Sequence, residues 1–177
     1  MNASARATRL SFILTAAASL AFVSPAFGGF SLTTTSAPTF SVTLNGTDQT
    51  PTYTMDLTVD NSGLGSTLLG WDLTVTSTQF STGGGTPKTL PTGASSITFV
   101  AVSCAVGPCV SPTNSIGYPI VVPAGSTPPS AVKFFNAAAA SGTGTFTITP
   151  TVQVMIPANA YAGSYTSTLT LTLASGP

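Results

Sequence analysis

The feature that most constrains this chain is a period-two alternation of apolar and polar residues, in which threonine fills most of the polar positions. A strand with one buried and one solvated face has this pattern, whereas helical spacing is nearly absent. The segments that alternate most clearly are 40–44, 53–60, 71–76, 146–148 and 165–173. Strands are therefore predicted to dominate the structure.

Shorter apolar runs bring the strand candidates to about eight or nine in all. These runs are 97–102, 120–122, 132–135 and 152–156. Antiparallel sheets with one buried face give such patterns, and two of them stacked face to face share one core. We predict an all-β, antiparallel β-sandwich, Ig-like in general architecture, in which residues 136–140 form a loop or a single turn.

The N-terminal residues have the order of a secretory signal peptide, with Arg6 and Arg9 ahead of an apolar run and small residues up to Ala26. The apolar run is shorter than the roughly 20 residues that a membrane-spanning helix needs. We predict cleavage after Ala26, with Gly28 as the competing position. Residues 1–26 would then be the signal peptide and residues 27–177 one secreted domain, with no membrane insertion after cleavage.

Loss of the signal peptide would leave a domain with little charge, because Lys88 and Lys133 are its only cations and four aspartates its only anions. Nucleic acid and anionic membranes require clustered lysine or arginine, so neither is an expected partner. The domain would contain no His, Glu or Arg, which excludes Ser-His-Asp and Cys-His nucleophiles and a His-containing zinc site. We predict a non-catalytic protein without a cofactor.

The aspartates keep two other kinds of chemistry open. A carboxylate pair drawn from Asp56, Asp60 and Asp72 is compatible with glycoside hydrolysis. Asp60 and Asn61 are candidate Ca²⁺ ligands, because calcium takes oxygen ligands from turns, although no complete calcium-binding loop follows them. In the alternative interpretation, Asp56 and Asp72 solvate the outer faces of their strands and Asp60 opens a turn.

Cys104 and Cys109 are the only cysteines of the chain. An even number of cysteines in an exported protein usually indicates a bridge, and Gly107 with Pro108 supplies a turn between the two. We therefore predict a local disulfide. A redox pair is disfavoured, because the C-x-x-C spacing and nearby cations are missing.

Trp71 is the only tryptophan, and its position in the alternation predicts whether it is exposed. It falls on the same side of its strand as Leu73 and Val75, which is the apolar side. An aromatic platform for a sugar ring would have to be exposed instead. The pattern therefore favours a core tryptophan with a structural role.

Two segments resemble the WxL domain family of Gram-positive surface proteins. Residues 70–76 read Gly-Trp-Asp-Leu-Thr-Val-Thr, and residues 162–173 are similar to the family's terminal strand, with Leu171 in place of its second tryptophan. The resemblance implies a cell-surface protein that associates non-covalently with peptidoglycan or another wall polymer. The binding residues that it implies are Trp71, Leu73, Leu171 and Leu173.

The C-terminal segment also resembles a second class of protein. Residues 161–165 read Tyr-Ala-Gly-Ser-Tyr and precede alternating threonine and leucine, as in the last strand of fimbrial and spore-coat-type pilin domains. This resemblance implies a structural subunit of a surface layer or pilus-like polymer. Its partners would be other surface proteins or further copies of the chain.

Overall fold

The computed structural model describes residues 8–15, 30–34, 37–63 and 69–176, and of residues 8–15 it describes the backbone alone. The predicted signal peptide therefore lies outside the described residues except for this one segment. The described part of the chain consists of strands, turns and loops. It contains no helix long and apolar enough to cross a membrane.

The described residues form twelve strands, which are arranged in two six-stranded sheets. In chain order they are β1 (Thr8–Thr15), β2 (Phe30–Thr34), β3 (Thr39–Leu44), β4 (Thr52–Thr54), β5 (Leu57–Asn61), β6 (Trp71–Thr78), β7 (Ser95–Val110), β8 (Ile120–Val121), β9 (Ala124–Gly125), β10 (Val132–Ala137), β11 (Thr143–Val154) and β12 (Ser164–Ser175). The first sheet has the order β10-β6-β12-β1-β3, with β9 beside β6. The second has the order β2-β5-β11-β7-β8, with β4 beside β11. Neighbouring strands are antiparallel except for β1 with β12 and β9 with β6.

The predicted antiparallel β-sandwich is confirmed, and the alternation of the sequence explains its core. Along β11 and the middle of β12, every second residue is buried and threonine fills most of the positions between. The two sheets meet through their apolar faces, where the rings of Trp71 and Phe146 lie 6.5 Å apart between centroids. Burying each large side chain of this kind contributes roughly 1.5–3 kcal/mol.

The segment 53–60, predicted as one strand, is divided into β4 and β5. Both pair with β11 in one register, which places Met55 opposite Pro150. On the edge of β11 that faces β4 and β5, the even-numbered residues of β11 donate the backbone hydrogen bonds between the strands. The hydrogen bond from the N–H of Val154 to the carbonyl of Pro51 is an example. Proline has no N–H to donate, so the ladder is interrupted where the strand divides.

Other boundaries also differ from the sequence prediction. The run 146–148 and the first part of the run 152–156 belong to the single strand β11, which ends at Val154, because Pro150 between them still pairs with Val100 of β7. The short strands β2 and β9 were not predicted. The turn predicted near residues 136–140 is found at its C-terminal part, where Ala140 has a φ of 61°.

Candidate functional site

Trp71 lies at the centre of a buried corner of the sandwich, so its predicted place in the core is confirmed. Its indole Nε1–H donates a hydrogen bond of 2.8 Å to the carbonyl oxygen of Gly142. The side-chain amide of Asn61 donates to the same oxygen, also at 2.8 Å. The ring packs on Phe135, with 5.5 Å between centroids. The tryptophan thus joins both sheets through packing and through one shared acceptor.

The residues implied by the WxL resemblance come together on one face of the first sheet. In the pairing of β6 with β12, Leu173 is opposite Leu73 and Leu171 is opposite Val75. Trp71 and these leucines are all buried, with at most 5% of any of them exposed. A polymer outside the folded domain does not reach these side chains. In the folded state they contribute to the core.

The weak calcium candidates Asp60 and Asn61 have separate roles. Asp60 accepts hydrogen bonds from the N–H of Ser62 at 3.1 Å and from the hydroxyl of Thr145 at 3.2 Å, so it opens a turn as the alternative interpretation predicted. The Asn61 side chain is buried and donates to Gly142. Within the described ranges, no three His, Cys, Asp or Glu side chains form a group that could hold a metal ion.

The position of Asp72 corrects the prediction that this side chain solvates an outer face. Its side chain is only 12% exposed, and its Oδ2 lies 2.9 Å from the Nζ of Lys133. Lys133 belongs to β10, the strand that pairs with β6 and covers this part of it. The alternation indicated correctly that Asp72 faces away from the core. The alternation did not indicate that Lys133, which lies on a strand far along the chain, pairs with this carboxylate.

The three aspartates considered for glycoside hydrolysis are separated by the fold. Asp72 lies on the outer face of the first sheet, whereas Asp60 belongs to β5 of the second sheet and Asp56 lies between β4 and β5. Four residues of extended chain span roughly 13 Å, and Asp56 and Asp60 are four residues apart. Paired carboxylates in glycosidases are about 5–9.5 Å apart. The arrangement of these groups does not form such a pair.

Cys104 and Cys109 form the predicted disulfide, with 5.9 Å between their Cα atoms. Instead of closing a turn between two strands, it closes a bulge within β7. Over this stretch β7 uses more residues than β11, because Cys104 is opposite Phe146 and Val110 is opposite Thr143. Gly107 allows the bulge with a φ of 67°.

Replacing both cysteines with serine should lower the free energy of unfolding by about 2 kcal/mol, the loop-entropy value for so short a loop. The expected fall in Tm is about 4–8 °C for a domain of this size, measured by circular dichroism. Wild-type protein treated with reductant is the matched control and should have the same Tm as the double variant. Alkylation of both thiols in exported protein that has never met reductant would contradict the bridge.

A cleft of about 300 Å³ opens at one end of the sandwich, between the loop that follows β6 and the loop that joins β11 to β12. Its lining residues are Gln79, Thr89, Leu90, Pro91, Pro157, Asn159, Ala160 and Tyr161. Gln79 fixes the first loop, because its Nε2 donates to the carbonyl of Leu90 at 2.6 Å. Asp48 fixes the second by accepting a 2.7 Å hydrogen bond from the N–H of Ala158. Each loop is thus fixed by a hydrogen bond of its own.

The cleft carries an exposed aromatic ring and a cation. Tyr161 is 61% exposed, and the Nζ of Lys88 lies 4.4 Å from the centroid of its ring. This is the geometry of a cation–π contact. Below it, the hydroxyl of Tyr165 donates to the carbonyl of Tyr161 at 3.0 Å. Burial raises the pKa of Tyr165, so this hydroxyl stays protonated and keeps donating near neutral pH.

Sequence reasoning did not find this cleft. Its two sides come from residues 79–91 and 157–161, which are far apart in the chain and lie outside the alternating segments. The one available signal was Tyr161, at the start of the Tyr-Ala-Gly-Ser-Tyr segment. Among the described residues, the one ion pair joins Lys133 to Asp72, which leaves the charge of Lys88 without a carboxylate partner.

Comparison of the sequence with profiles of known protein families and with curated proteins finds no match. The resemblance to the WxL domain family therefore stays a prediction. The strongest surface feature for a binding function is the cleft that bears Tyr161 and Lys88, since the motif residues themselves are buried.

Proposed function

We propose that the protein is a secreted, non-catalytic surface protein that associates non-covalently with a polymer of the bacterial cell wall, such as peptidoglycan. The observation that carries this proposal is the exposed Tyr161 ring beside Lys88 at the edge of a cleft. The resemblance of two segments to WxL domains supports the choice of ligand. The buried residues of those segments would act by holding the fold that presents the cleft.

The chemistry of the cleft suits such a polymer. An exposed aromatic ring offers an apolar face to a sugar, and Pro91 and Pro157 extend the apolar surface. Peptidoglycan also carries peptide carboxylates, which the ammonium group of Lys88 would attract. Because that group lies over the Tyr161 ring, a bound carboxylate would place its sugar next to the ring. The side chain of Asn159 adds a donor and an acceptor at the same edge.

The test is sedimentation of the exported protein with purified sacculi. The wild-type protein should pellet with the walls and be released by denaturant without digestion of the wall. Replacing Tyr161 and Lys88 together with alanine should lower the affinity about tenfold or more, since a hydrogen bond to a charged group alone contributes about 1.5–3 kcal/mol. Tm should stay unchanged, because both side chains are at the surface.

Phe99→Ala is the matched control for this experiment, because Phe99 is an aromatic residue 59% exposed on β7, outside the cleft. It should bind the walls as wild type does. Recovery of the wild-type protein in the supernatant with several wall types would refute wall association. If the Tyr161 and Lys88 double variant binds as tightly as wild type, the protein associates with the wall but the cleft is not the binding site.

A second candidate function is a structural subunit that packs or polymerises into a surface layer. The observation that favours it is the place of β1, which comes from the predicted signal peptide and yet lies inside the first sheet, between β12 and β3. A protein that loses an interior strand gains two facing strand edges. Pelleting of the exported protein without walls, as filaments, would support this function.

A further inference from the structure

The ammonium group of Lys88 brings a positive charge to the edge of the cleft, and the residues that line the cleft include no carboxylate. The four aspartates of the chain each bind a donor outside this lining, namely the hydroxyls of Thr145 and Thr149, the N–H of Ala158 and the ammonium group of Lys133. Within the described residues, the cleft therefore presents a positive charge without a negative one. Such a site favours an anionic ligand.

The position of this charge relative to the Tyr161 ring is set by the backbone on both sides. The N–H of Lys88 donates to the hydroxyl of Thr82 at 3.0 Å, and its carbonyl accepts from the N–H of Thr82, also at 3.0 Å. On the other side, the carbonyl of Tyr161 accepts from the hydroxyl of Tyr165. A carboxylate oxygen that accepts from Lys88 at about 2.8 Å lies within about 7 Å of the centroid of the Tyr161 ring. The anionic group of the ligand must therefore be close to whatever packs on the ring.

Peptidoglycan contains carboxyl groups at different distances from its sugars. The lactyl carboxyl group of muramic acid lies a few bonds from the sugar ring, but in the intact polymer it forms an amide with the stem peptide and is uncharged. The free carboxylates of the stem peptide lie farther out, and each residue of extended chain adds about 3.3–3.6 Å. A charged carboxylate beside the sugar itself is present only after the peptide has been removed.

We propose that the cleft selects peptidoglycan strands whose stem peptides have been removed. The free lactyl carboxylate accepts from the Nζ of Lys88, while the sugar that carries it packs against Tyr161. This selection rests on the proposed wall association and names the part of the polymer that the cleft recognises. An intact strand offers a neutral amide at the same place, which an ammonium group binds less strongly.

The size and lining of the cleft suit one sugar residue with a short acid group. Its volume of about 300 Å³ is at the lower end of the range for ligand pockets, about 300–1,000 Å³. The side chains of Thr89 and Asn159 offer donors and acceptors for hydroxyl and acetamido groups, and Pro91 and Pro157 add apolar surface. A sugar that also carries a peptide would extend beyond these contacts.

The experiment measures the binding of the exported protein to three forms of purified wall by sedimentation. The forms are intact sacculi, sacculi from which an amidase has removed the stem peptides, and the peptide-free form after conversion of its lactyl carboxylates to primary amides. The peptide-free form should bind about five- to tenfold more tightly than either of the others, since a hydrogen bond is stronger when its acceptor is charged. The preference should fall as salt is raised, because charges at the surface are screened.

Substitutions at Lys88 assign the preference to this side chain. Lys88→Gln removes the charge and keeps a donor, so it should bind the charged and amidated forms equally. Lys88→Arg keeps the charge and should keep the preference. Lys133→Gln is the control for net charge, because Lys133 pairs with Asp72 and does not line the cleft, and it should select the peptide-free form as wild type does.

Four results would overturn the selection and leave wall association in place. The first is equal binding of the peptide-free and amidated forms by the wild-type protein. The second is tighter binding of intact sacculi, which would mean that the protein recognises the peptide. The third is loss of the preference in Lys133→Gln, which would mean that it comes from net charge. The fourth is a soluble polyuronate that displaces the protein as effectively as peptide-free strands do, which would mean that any sugar acid is recognised.

Failure of the wild-type protein to bind any of the three forms is a different outcome. It would refute the proposed wall association itself, and the selection with it.

Discussion

Replacing Trp71 with alanine should unfold the domain or lower its free energy of unfolding by about 3–5 kcal/mol, out of the roughly 5–15 kcal/mol that stabilise a domain. The indole is fully buried, packs on Phe135 and Phe146, and donates to Gly142 across the sandwich. Alanine would leave a cavity where the two sheets meet. The measurement is chemical denaturation followed by circular dichroism, and wall binding should be lost along with the fold.

The control is Phe99→Ala, which also removes an aromatic ring but from an exposed position, and should change stability by less than about 0.5 kcal/mol. Asp72→Asn would be a poorer control, because Asp72 is paired with Lys133. A Trp71→Ala protein that keeps its Tm and loses wall binding would show that Trp71 is an exposed ligand contact. Trp71→Phe keeps an aromatic ring but loses the N–H donor and part of the indole volume, so its cost should be smaller than that of Trp71→Ala.

Gly142→Ala should also be strongly damaging, with an expected cost of about 3 kcal/mol or more. Part of this cost, about 1–2 kcal/mol, comes from the left-handed conformation at a φ of 68°. The larger part is steric, because a Cβ at this position would lie 2.6 Å from the Cβ of Ala137 and 2.6 Å from the Nε1 of Trp71. The carbonyl that accepts from Trp71 and Asn61 would have to move. Thermal unfolding measures the loss.

Gly83→Ala is the matched control for Gly142→Ala. Gly83 has the same φ of 68°, and a Cβ there would meet nothing within 4 Å. The difference between the two variants therefore isolates the close approach at Gly142 from the backbone strain that both share. Equal losses of stability in the two variants would refute the steric argument.

The strands that the sequence predicted well are those with one buried face. In β11 and the middle of β12 the alternation is set by burial of every second side chain, so the pattern of residues and the pattern of exposure coincide. In β6 the apolar residues are buried as predicted, but the polar Asp72 and Thr76 between them are buried as well. The division between β4 and β5 was missed because its cause lies in another strand. Pro150 interrupts the ladder at Met55, and only the register of β11 brings the two together.

The candidate site was harder to predict than the fold. The alternation placed Trp71 in the core. It did not indicate that Gly142 accepts a hydrogen bond from the indole, or that Asn61 donates to the same carbonyl. The cleft depends on two loops that are neighbours only because β6 and β12 pair. Lys88 and Tyr161 come from the two different loops. Their contact therefore corresponds to no motif with a fixed spacing in the sequence.

The bulge in β7 has a consequence for contacts between copies of the protein at high concentration. Beyond Ile97, where β8 ends its pairing, the described chain places no strand on the outer edge of β7, and exposed side chains such as Val106 lie along it. A long, flat edge of this kind invites sheet-to-sheet aggregation. The disulfide between Cys104 and Cys109 fixes a local distortion there, so an approaching strand cannot continue in register. Neighbouring molecules at high density would thereby be kept from fusing through this edge.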